Sequence, residues 1–169
     1  MRGLGLVLAG VAISFGAAAC AGKRIEHGVF HSPKGYRVTI PPDGWVVARD
    51  SRADLELRHG SEPVAIAVNA ACEDERPRGS LDVLARHLLI GLRERSTVLA
   101  ERTAVNGHTA EHAIVEGRSI EPGGDRMRVE AYVIRDARCV YDFLYIAPPE
   151  AFETLEPSFR QLLDTFVAR

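Results

Sequence analysis

Lysine is almost absent from this chain: Lys23 and Lys34 are the only two among 21 basic residues, and 23 acidic residues leave a net charge of −2. No excess of positive charge is gathered in any segment, which excludes the electrostatic footprint of a nucleic-acid binder. The catalytic signatures are missing too. There is no Gly-x-Ser-x-Gly, no His-Glu-x-x-His, no phosphate-binding glycine loop and no Cys-x-x-Cys. The expectation is therefore a protein that is not an enzyme and uses no cofactor. An apolar run long enough to cross a bilayer is also lacking, since a span needs about 20 apolar residues and Gly3 to Ala19 is shorter and rich in glycine and alanine.

What that first stretch does contain is a positive start (Met1, Arg2), an uncharged apolar run from Leu4 to Phe15 and three small residues, Ala17 to Ala19. These are the parts of an export signal, which places residues 1–19 outside the folded protein. The small residues end on Cys20. The segment resembles a bacterial lipoprotein signal, although Ala17 stands where such signals usually carry leucine. That resemblance implies that Cys20 is acylated and becomes the N-terminus after cleavage, with the lipid bilayer as its partner. Acyl chains supply about 0.8 kcal/mol per buried methylene, so more than one holds a protein firmly. An ordinary secretory signal or a single-span anchor are the alternatives. Ala21 is not the aspartate of an inner-membrane retention signal, so in a two-membrane cell the destination is the periplasmic face of the outer membrane.

With Cys20 assigned to the anchor, Cys72 and Cys139 are left as a pair in an exported chain. A disulfide is the economical reading in an oxidising compartment. Closing that loop stabilises a fold by roughly 4 kcal/mol on the chain-entropy model. Two separate buried thiols are the alternative, and a cysteine nucleophile a remote third.

Residues 20–34 read as the lipidated end and a tether without sustained periodicity, and 35–169 as one domain, long enough for one core. Tyr36 to Ile40 and Trp45 to Val47 form two strands around Pro41-Pro42-Asp43-Gly44, and Leu55 to His59 and Val64 to Ala70 two more. Val64, Ile66 and Val68 share the core face. After a charged loop, Ser80 stands at the cap position of a helix with its apolar stripe on Leu81, Leu84, Ala85, Leu88 and Leu92. Val98 to Val105 and Thr109 to Val115 flank Asn106-Gly107, the strongest signal for a two-residue hairpin turn. Arg126 to Arg135 and Cys139 to Ile146 are long strands. The closing segment carries Phe152, Leu155, Phe159, Leu162, Leu163 and Phe166 on one helical face, divided by Pro157.

Cys139 to Ile146 is apolar on both faces and so reads as a central strand, which makes Asp142 the unusual residue: a carboxylate in a buried-looking position. Its structural reading is a carboxylate paired with an arginine such as Arg128 or Arg135, or one lying near the sheet rim. The functional alternative is a small-ligand receptor or an enzyme using Asp142, Glu130 and nearby arginines. No metal site is expected. His27 and His31 lie in the tether, and His108 and His112, four apart on a strand, are separated by about 13 Å.

The opening Gly35-Tyr36-Arg37-Val38-Thr39-Ile40-Pro41-Pro42-Asp43-Gly44-Trp45, the strand order and the Phe159 to Phe166 helix resemble the PsbP-like superfamily over about residues 35–168. That resemblance implies an α+β fold, an antiparallel sheet covered by helices in an α-β-α sandwich. It also implies a non-catalytic binding or assembly module, here for an unidentified envelope component or small ligand. It carries over no catalytic residue.

Overall fold

Strand periodicity organises the molecule. A computed structural model describes residues 24–121 and 123–169, so the leader and Cys20 lie outside the described residues. The strands of the main sheet are β4 (Trp45–Val47), β5 (Leu55–His59), β6 (Ala65–Cys72), β7 (Leu92–Val105), β8 (His108–Ser119), β9 (Arg126–Arg135) and β10 (Cys139–Ala147). They pair antiparallel in the order β4-β5-β6-β10-β9-β8-β7, with β10 at the centre. Because side chains alternate across a sheet, β10 sends Cys139, Tyr141, Phe143, Tyr145 and Ala147 into one core and Val140, Leu144 and Ile146 to the other side.

Helix α2 (Pro149–Asp164) covers the first face, burying Phe152, Phe159, Leu162 and Leu163 against it. A second, four-stranded sheet joins the same core: β1 (Arg24–Glu26), β2 (Val29–His31), β3 (Tyr36–Thr39) and β11 (Val167–Ala168), in that order. The opposite face receives the short helix α1 (Leu81–Leu88), whose Leu81, Leu84 and Ala85 meet Val133 and Val140. The architecture is α+β with two antiparallel sheets. Asn106 and Gly107 form the β7–β8 turn at φ 49° and 84°, the left-handed pair that a type I′ turn requires. The Asn106 Nδ2 also donates to the Phe166 carbonyl at 2.8 Å, beyond the end of α2.

Four expectations are corrected. The stretch read as a tether is folded from Arg24 onward: β1 and β2 form a hairpin turning at His27-Gly28, and β2 pairs with β3 from Val29↔Thr39 to His31↔Arg37. Phe30 is 1% exposed, and its burial holds the hairpin down. Pro157 does not divide α2, because Phe152 and Phe159 on either side of it are both buried and keep the helix continuous. Ser80 takes the cap position without a side-chain bond; its carbonyl accepts from the Leu84 amide instead. The α1 stripe ends at Leu88, and a single 3-10 turn (Leu89–Gly91) leads into β7, which starts at Leu92 and not at Val98.

Candidate functional site

Cys72 and Cys139 are register partners at the ends of β6 and β10 and are joined by a disulfide, with Cα atoms 4.1 Å apart. The bridge ties the central strand to its neighbour at the rim where the helix-α1 segment departs, a structural position.

Asp142 lies midway along β10, opposite Asn69 on β6 and Val133 on β9. It is half-buried, and burial pushes its carboxyl up to about 6. Neither expected arginine reaches it. Arg128 pairs with Glu116 at 2.7 Å and Glu153 at 2.8 Å, and Arg135 donates to the Gly79 carbonyl. Arg128 shares the α2 face with Glu130, whereas Asp142 points to the α1 face; Arg135 is on Asp142's own face but two register positions away, where the Gly79 carbonyl takes it. Glu130 and Asp142 therefore belong to two environments and form no common site.

Glu130 is fully buried under α2. Its Oε1 lies 2.8 Å from both His112 Nε2 and Arg160 Nη2, and its Oε2 is buried without a hydrogen-bond partner. His112 stacks on Tyr132 with ring centroids 4.1 Å apart, and its Nδ1 lies 3.3 Å from Glu101. Arg160 also donates to the Tyr132 hydroxyl at 2.7 Å and pairs with Glu156. His112 is thus a buried member of a charged cluster, and His108 instead packs edge-on against Phe166. Enclosed on every side, Glu130 clamps α2 to β8 and β9 and has no face to offer a substrate. The alternation of β9 placed Glu130 on this face in the sequence; the partners from β8 and α2 come from long-range pairing and carried no local signal.

The open feature is on the other face. A cavity of about 400 Å³ lies where α1 runs out, walled by Leu88, Leu89, Leu92, Met127, Val129, Leu144 and Ile146. Ser119, Glu121, Asp125 and three glycines complete it. Its origin is geometric. An eight-residue helix is about 12 Å long, too short to cover a seven-stranded sheet whose strands are about 4.8 Å apart. Leu144 and Ile146, on the central strand, are left half-buried. Reading Leu88 to Leu92 as one continuous helix concealed this pocket, and Gly91 was the residue that could have signalled it.

No family model and no curated protein matches the chain. Solved structures do resemble it. The cyanobacterial PsbP (CyanoP) of Synechocystis has 15% identity and a TM-score of 0.56, covering 92% of this chain and 98% of that one. LpqN of Mycobacterium tuberculosis, described as involved in cell envelope biogenesis, has 14% identity and a TM-score of 0.60, covering 85% and 87%. The Ran-binding protein Mog1p of Saccharomyces cerevisiae has 11% identity and a TM-score of 0.53, covering 79% and 90%. At these identities the likeness is one of fold, and the fold is PsbP-like.

Proposed function

Starting from the PsbP-like fold, we propose that this protein is an exported, membrane-anchored lipoprotein of the cell envelope. Its α-β-α sandwich serves as a non-catalytic binding or assembly module for another envelope component. The observation that carries the reading is the apolar pocket left open on the face of a central strand. A face of this kind is normally covered, and an uncovered one is a place for a ligand or partner. LpqN, with its role in envelope biogenesis, supports the same setting. The separation of Asp142 from Glu130 on opposite faces supports binding over chemistry, because no pair of tuned acids converges. The anchor reading rests on the leader and Cys20. Among the described residues no helix is long and apolar enough to cross a membrane.

Three experiments test it. Cys20→Ser is expected to move the protein from the membrane fraction to the soluble fraction in cell fractionation; full retention in the membrane overturns the anchor. Crosslinking in intact cells is expected to recover one stoichiometric envelope partner. Turnover of a generic ester, peptide or phosphate substrate by the purified protein would overturn the non-catalytic reading.

A further inference from the structure

We propose that the open pocket receives an extended segment of a partner protein, anchored by one bulky apolar side chain and flanked by lysine or arginine. This deepens the binding-module reading and rests on it.

The walls and rim set the apolar requirement. Ile90 and Ile120, 68% and 59% exposed, each sit in the chain between two residues that line the cavity, and the Ile120 amide donates to the Gly91 carbonyl at 3.1 Å. Two of the most exposed large aliphatic side chains among the described residues therefore stand on the two chain segments that border the open apolar cavity, segments joined by that backbone bond. Such a combination marks an interaction site. At about 400 Å³ the cavity lies toward the small end of ligand sites, enough for an anchoring side chain. A Cβ built at Gly91 or Gly123 would meet nothing within 4 Å. The mouth is therefore bordered by bare backbone at two points, which lets another main chain approach closely.

Charge decides between occupants. Glu121 and Asp125 line the cavity and are exposed, and among the described residues neither has an ion-pair partner. Among the described residues they are the only charged side chains in the cavity's lining. The mouth is left negative. A negative mouth attracts a cationic flank and repels the carboxylate of a fatty acid or the phosphate of an anionic lipid.

The test uses the full chain reconstituted in phosphatidylcholine nanodiscs and a fluorescein-labelled hexapeptide with a central leucine-tryptophan pair between two basic residues on each side. Fluorescence anisotropy is expected to show saturable binding. A peptide with acidic flanks is expected to bind at least tenfold more weakly. The double variant Glu121→Lys/Asp125→Lys, whose exposed positions leave the core untouched, is expected to weaken the basic peptide at least tenfold. Leu144→Trp, filling the cavity, is expected to do the same with its thermal melt recorded alongside. The proposal is overturned by absence of binding, by equal binding of the two peptides, or by unchanged affinity in the double variant. It is also overturned if dodecanoate binds the pocket more tightly than the basic peptide, or if the double variant abolishes self-association of the protein. Should the partner recovered by crosslinking bind the double variant as well as the natural chain, the pocket assignment fails while the binding-module reading stands.

Discussion

Asp142 carries a penalty that depends on pH. Burial raises its carboxyl to about 6 from an ordinary value of 3.8. Below about pH 4 it is neutral in both the folded and the unfolded chain and costs nothing. Between about pH 4 and 6 the unfolded chain releases its proton while the folded chain keeps it, so this group's contribution to stability falls as pH rises and is fully lost above about 6. Asp142→Asn is therefore expected to stabilise the protein at pH 7 by on the order of 2 kcal/mol, and to have little effect at pH 4. Thermal melts of the two proteins across that range check it, and parallel profiles would refute the burial argument. Glu130, by contrast, is held by two ionic partners through one oxygen. Arg160→Met removes one of the two donors on Oε1 and is expected to destabilise the fold by about 2 kcal/mol. This is less than the 3–5 kcal/mol typical of a broken buried pair, because Arg160 is partly exposed and His112 remains. Denaturant unfolding measures the difference.

Among the elements, the pair β6–β10 is the best insured, since its eight-residue register ends in the disulfide. Reduction is expected to cost roughly 4 kcal/mol if the constraint acts on the unfolded chain, read as a lowered melting temperature. The reduced chain should also run more slowly on a non-reducing gel. The elements legible in the sequence were those with clean periods: the alternation of Tyr141, Phe143 and Tyr145, the Asn106-Gly107 hairpin, and the aromatic face of α2. Those that were not legible depend on tertiary burial. The β1–β2 hairpin has only Ile25, Val29 and Phe30 among polar residues, too few for a pattern, and is fixed by Phe30 entering a core built by distant strands. Pro157 looked like a helix end because its ring opposes the preceding turn, and the buried phenylalanines on either side outweighed it. The candidate site was less legible than the fold. Asp142 was visible as an anomaly, but that Arg128 takes the other face and Arg135 goes to the Gly79 carbonyl is set by long-range placement, and the pocket arises from a helix that stops short.

For the whole molecule, the position of β1 has a mechanical meaning. The strand starts at Arg24, four residues after Cys20 in the sequence. Even fully extended, those residues reach about 14 Å. If Cys20 is acylated as proposed, the domain would be held on a short leash against the bilayer and would lose most of its freedom to tumble. The hairpin that takes the leash packs into the α2 side of the main sheet, and the open pocket is on the opposite side. The tether would then act as an orienting device, turning the acidic mouth toward the aqueous compartment and away from the lipid surface, where a protein segment arriving from solution meets it first.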